Sequence, residues 1–147
     1  MYIKNMKEYY SIDLNKRTEM IKIITQCLLN EGRVVFAYVF GSFLKDPSFR
    51  DIDIGVYIKD YDEGGKAKIE LELARKIAEN IGMSFDNIEI NVLNSAPYSF
   101  LANIFSRGRL LFSNDNELLP DLIEKSSLSA LSNEYIAYQS LRELMAV

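Results

Sequence analysis

The stretch "VFGSFLKDPSFRDIDIGVYI", residues 39–58, decides how the chain is read. An apolar run ends in Gly41-Ser42, a short polar stretch follows, and the next apolar run opens with Asp51-Ile52-Asp53-Ile54. In a β-strand, side chains at i and i+2 share a face. Asp51 and Asp53 therefore point one way, and Ile52 and Ile54 the other. One face of this strand belongs against a core. The other carries two carboxylates that start roughly 6–7 Å apart along the strand. Like charges that close repel unless solvent or a cation lies between them.

The flanking sequence supplies the frame. From Leu14 to Asn30, Met20, Ile21, Ile23, Ile24, Cys27, Leu28 and Leu29 fall at helical spacing, and Glu31-Gly32 ends the pattern. "RVVFAYVF", residues 33–40, is β-branched and aromatic and predicts a buried strand. The second strand runs over 51–58. After the turn at 60–65, Ile69, Leu71, Leu73, Ala74, Ile77, Ala78 and Ile81 predict a helix over 66–81, with Gly82 as its stop. "NIEINVL", residues 87–93, is a third strand. Pro97 opens a short helix to about Arg107, Gly108 ends it, and 109–112 is a fourth, edge-like strand. From Asn116 onward the pattern is helical again. The expectation is one α/β (α+β) domain over residues 1–147: a small mixed sheet of about four strands flanked by helices, with a C-terminal helical segment over about 116–147.

The third strand adds a carboxylate. Ile88, Ile90 and Val92 share one face, and Glu89 and Asn91 the other. If it lies beside the second strand, Glu89 joins Asp51 and Asp53. Oxygen-only ligands on rigid elements suit Mg²⁺, which completes its shell with water and phosphate oxygens. Two such ions stabilise both the entering and the leaving oxygen of a phosphoryl or nucleotidyl transfer. Gly41, with no side chain, lets a phosphate approach the backbone. Ser42 is placed to cap a short helix over 43–46 and to offer a hydroxyl.

Composition narrows the chemistry. The 147 residues are 48% hydrophobic and 26% charged, which reads as a globular chain and not a disordered one. The net charge of −4 gives no fold-wide basic footprint for a long nucleic acid. No histidine is present, so the commonest general base and metal ligand is missing. Apolar runs fall short of the roughly 18 residues a membrane span needs. "MYIKNMKEYY" lacks the apolar core of a secretory signal. The one cysteine, Cys27, sits in an apolar helical pattern and reads as a buried thiol in a reducing, cytoplasmic setting.

Gly-Ser at the end of a strand, a short loop, then Asp-x-Asp followed by apolar residues resembles the signature of the polymerase-β-type nucleotidyltransferase superfamily. The short length resembles the minimal nucleotidyltransferases, in particular the MntA-like antitoxins paired with HEPN-domain toxins. "IEINVLNSAPYSFLANIFSRGRLLFS" is similar to the family's third-carboxylate strand, Asn-x-x-Pro turn, helix and closing strand, and "EYIAYQSLREL" to the antitoxins' C-terminal helix. The resemblance covers roughly residues 34–144. It implies a Mg²⁺-dependent enzyme that transfers AMP from ATP to a hydroxyl acceptor, a tyrosine of a HEPN-type toxin, releasing pyrophosphate. Asp51, Asp53 and Glu89 would be catalytic and hold the metal, and Gly41 and Ser42 would bind the triphosphate. Two positions depart from the pattern: "FLKDPSFR" is shorter than the usual loop, and Glu89 stands where aspartate is more usual.

Simpler roles exist for several of these residues. An Asp-x-Asp strand can be a solvated edge, and Ser42 a cap alone. Lys45 and Arg50 are either solvated loop charges or phosphate donors. The C-terminal segment carries more apolar residues than a tail needs; it packs on its own sheet or docks a partner. The second functional expectation follows: a weakly active or inactive antitoxin that neutralises a HEPN toxin by contact.

Overall fold

The computed structural model describes residues 10–146. Most of the N-terminal decapeptide read above lies outside them. A four-stranded mixed sheet has the order β3-β2-β1-β4. β1 (Val34–Phe40) runs antiparallel to β2 (Ile52–Ile58) and to β4 (Arg109–Ser113), and β2 runs parallel to β3 (Ile88–Val92). A parallel pair needs a long crossover, and α3 (Lys66–Ile81) is that crossover.

α1 (Leu14–Leu29) and α3 cover one face of the sheet. There Ile52, Ile54, Val56 and Ile58 meet Ile24 and Leu28 of α1 and Leu73 and Ile77 of α3 in the larger core. Cys27 is buried in it, as expected, and burial raises its thiol pKa. Ile23 and Leu29, counted with the apolar stripe of α1, instead face outward. The other face is covered by α4 (Tyr98–Arg107) and the start of α5 (Leu118–Met145), around Phe36, Tyr38, Leu93, Leu101, Ile104 and Leu119. β1 serves both cores. Its register shifts between Val34 and Phe36, which turns Val34 to the first core and Phe36 to the second.

The mixed α/β architecture matches the sequence expectation, with small changes at the ends of elements. α3 ends at Gly82, whose φ of 73° is the left-handed conformation of a helix stop. α5 is one helix of 28 residues. Its first part packs through Leu119 and Ser126, while Leu128, Leu131, Tyr135, Ile136, Tyr138, Leu141 and Leu144 are exposed. Among the described residues, no helix is long and apolar enough to cross a membrane.

Candidate active site

β1 ends and β2 begins at the same end of the sheet, because the two strands are antiparallel neighbours. Phe40 pairs with Asp53, so Gly41 emerges beside the Asp53 side chain. The closeness is steric fact: a Cβ added to Gly41 would overlap the Asp53 carboxylate. Gly41 also has φ 79°, a conformation L side chains rarely adopt. Glycine is thus favoured here by the backbone, and any side chain would displace the Asp53 carboxylate.

Asp53 also pairs with Glu89 across the parallel β2–β3 ladder. The two acidic residues therefore sit on adjacent strands, roughly 4.8 Å apart in the hydrogen-bonding direction. Asp51 lies one residue before β2, and its carboxylate meets the Arg50 guanidinium at 3.5 Å. Asp51 and Asp53 are half-buried and Glu89 is exposed. The three carboxylates supply only hard oxygen donors, the set that suits Mg²⁺. Asp53 and Glu89 are register partners at one end of the sheet and Asp51 lies just outside β2, but among the described residues no three His, Cys, Asp or Glu side chains are gathered as a metal-holding group.

The Gly-Ser turn differs from expectation in one respect. The short helix α2 spans Ser42–Lys45, with Gly41 in the N-cap position and no side-chain capping bond. Ser42 is the first helical residue and not the cap. The left-handed Gly41 turns the chain into the helix one residue early, which leaves the Ser42 hydroxyl off the capping position.

Next to this turn is a cavity of about 230 Å³, lined by Phe40, Gly41, Ser42, Lys45, Asp46, Asn103 and Arg107. Lys45 and Arg107 bring two cations to it, and Asn103 an amide. Asn103 and Arg107 were not singled out in the sequence. They stand four apart on α4, on the side away from the buried Leu101 and Ile104. Gly108 brings them here. A Cβ on it would lie 3.1 Å from the Val39 carbonyl, so the end of α4 abuts the end of β1. Arg50, the other candidate phosphate donor, is turned to Asp51 instead.

Fold and family model together define a nucleotidyltransferase-type domain. The family model described as "Polymerase beta, Nucleotidyltransferase" matches residues 22–117, and the chain belongs to that family. Among solved structures, the fold is similar to that in the complex of a tri-AMPylated Shewanella oneidensis HEPN toxin with its MNT antitoxin. That match has a TM-score of 0.59 at 20% identity and covers 89% of this chain and 99% of that one. A toxin–antitoxin MntA–HepT structure matches with a TM-score of 0.54 at 19% identity, over 92% of this chain and 100% of that one. A toxin–antitoxin structure with AMP-PNP matches with a TM-score of 0.55 at 20% identity, over 92% and 100%. No curated protein sequence matches the chain significantly.

Proposed function

We propose that this protein is a Mg²⁺-dependent nucleotidyltransferase that moves AMP from ATP to a hydroxyl acceptor, the acceptor being a tyrosine of a HEPN-type toxin. The observation that carries the reading is the meeting of Gly41 with Asp53, and of Asp53 with Glu89, at one end of the sheet. Family membership supports the reaction class. The AMPylated toxin and the AMP-PNP complex among the fold's neighbours support the acceptor and the nucleotide.

In this reading Asp51 and Asp53 hold the metal, Glu89 adds a third carboxylate, and the phosphates lie along Gly41 and Ser42. Lys45, Asn103 and Arg107 meet the outer phosphate charge as charge-assisted and amide donors. The acceptor oxygen forms a bond to the α-phosphorus, the bond from that phosphorus to the bridging oxygen breaks, and pyrophosphate leaves. The acceptor's proton passes to a carboxylate at the open edge, where Glu89 is exposed. Bound Mg²⁺ would supply charge stabilisation to the entering and leaving oxygens.

The test is transfer of label from ATP carrying ³²P on the α-phosphate to a protein of the host extract. Wild type should label a band that the Asp51→Asn/Asp53→Asn double variant does not. Equal labelling by both would sink the assignment. A second reading, neutralisation by contact alone, is favoured by the exposed apolar residues of α5 from Leu128 onward. It requires the double variant to neutralise the toxin fully and a chain cut after Tyr135 to fail.

A further inference from the structure

Arg17 stands apart from every other cation in the described structure. It is on the first turns of α1, far in sequence from the Gly-Ser motif, and only 6% exposed. A buried arginine is ordinarily matched by a carboxylate, because desolvating a charge is costly. Here the four hydrogen bonds all go to main-chain carbonyls. Nε donates to Ile12 at 2.8 Å, one terminal nitrogen donates to Phe43 at 2.9 Å and also to Asp46, and the other donates to Pro47 at 2.6 Å. The guanidinium also lies 4.9 Å from the Phe49 ring centre and 5.8 Å from that of Phe43.

Three of the four acceptors belong to one short stretch, α2 and the two residues that follow it. A single helical turn is not stable by itself, and its last carbonyls need donors. Main-chain bonds from Leu44 to Gly41 and from Asp46 to Ser42 close the ends of α2. Arg17 adds donors from outside, to the carbonyls of Phe43, Asp46 and Pro47. The rigid fork of an arginine can hold several carbonyls in one plane, which a lysine's single nitrogen cannot. The loop beyond is tied down as well. Phe49 exchanges two backbone hydrogen bonds with Tyr10, at 2.7 and 2.9 Å, and its ring meets Phe43 edge to face at 4.7 Å. The shortened Ser42–Asp51 connection is thus fastened at its middle by one side chain of α1.

We infer that Arg17 is a positioning residue for the nucleotide site: it holds α2 so that Gly41, Ser42 and Lys45 keep their place relative to Asp51 and Asp53. The inference rests on the nucleotidyltransferase reading for its consequence and on the hydrogen bonds alone for its geometry. Arg17 has no role in the reaction itself. It acts through the turn that meets the phosphates.

The test compares wild type with Arg17→Lys, which keeps the charge and loses the fork, and with Phe49→Leu, which loosens the same loop without removing the donors. Two readouts are taken well below the melting temperature: amide exchange at Leu44 and Asp46, and ATP affinity by equilibrium dialysis. Arg17→Lys should lose protection at those two amides while α3 keeps its own. It should also bind ATP about tenfold more weakly, since small misplacements of a binding group are costly. Its rate at saturating ATP should change much less than its KM. Phe49→Leu should lower the melting temperature with a smaller effect on ATP. A folded Arg17→Lys with normal protection at Leu44 and Asp46 overturns the inference, as does one with wild-type ATP affinity. If wild type itself binds no ATP, the nucleotide reading fails, and the exchange data alone decide whether Arg17 holds the turn.

Discussion

The two faces of β2 lie back to back on seven residues and obey different rules. On one face, Ile52, Ile54, Val56 and Ile58 are all buried in the core under α1 and α3. Volume and shape decide what is allowed there. On the other, Asp53, Gly55 and Tyr57 follow one another with nothing in common but position. Asp53 lies against Gly41, Gly55 against Leu93, and Tyr57 stacks on Phe36 at 5.2 Å. What decides there is charge at one end of the strand and close approach in the middle. In the proposed reading, fold and function are encoded on alternate residues of the strand, so that a register slip of one would destroy both at once.

Three adjacent substitutions probe that division. Asp53→Asn should have the largest effect. Transfer activity should fall on the order of 10²–10³-fold, the usual cost of removing one electrostatic stabiliser. Stability should stay within about 0.5 kcal/mol of wild type, because the residue is only half-buried and the amide keeps its size. Denaturant unfolding beside the labelling assay checks both halves. A large loss of stability would mean that Asp53 belongs to the fold as well as to the site. Ile54→Ala should reverse the pattern, costing about 2–5 kcal/mol of stability as a fully buried side chain leaves a cavity. Transfer per folded molecule should be unchanged.

Gly55→Ala falls between them. The added methyl would lie 3.0–3.3 Å from three carbons of the Leu93 side chain, closer than ordinary contact. Leu93 can shift, but it is buried in the second core beside Leu101 and Ile104. The expected cost is about 1–3 kcal/mol, read as a drop in unfolding midpoint. A neutral result would mean that the α4–α5 layer yields more readily than the α1–α3 layer.

Why some of this was legible in the sequence and some was not follows from the same division. Period-two and period-3.6 patterns are local, so the strands and helices could be read. That Glu89 could join Asp51 and Asp53 depended on β3 lying next to β2, and the parallel ladder supplies that neighbour. Contacts made by the main chain leave no such trace. Asn103 and Arg107 line the Gly41 cavity from α4, whose end at Gly108 abuts the end of β1. Arg17 leaves no trace of its role in the sequence, because its partners are main-chain carbonyls and carbonyls carry no sequence. The Ser42 cap was misplaced for a related reason: the φ of Gly41 sets where α2 begins. In α5 the helix itself was plain, but apolar residues occupy more than one side of it, so the pattern could not say which are covered.

The smallest effect is expected at the opposite end of the sheet from the site, where an ion pair serves the fold alone. Arg33 donates from Nε to Glu31 at 2.8 Å, just before β1, and reaches Glu72 of α3 at 3.4 Å. The hydrogen bond from Arg33 holds the Glu31 carboxyl below its ordinary pKa, against a smaller opposing push from burial. A carboxylate with a lowered folded-state pKa contributes stability above its unfolded-state pKa, and that contribution is lost as the pH falls through the folded value. Arg33 is nearly half exposed, so solvent screening keeps the pair weak. Glu31→Gln should cost less than about 1 kcal/mol at neutral pH. The gap between variant and wild type should close on acidification, and added salt should shrink it. Denaturant unfolding across acid and neutral pH checks both. ATP affinity should not move, since Glu31 precedes β1 and the site begins where β1 ends. If it did move, the carboxylate end of the sheet would be coupled to the far end through β1, and the separation of fold from site seen across β2 would not hold along the strand beside it.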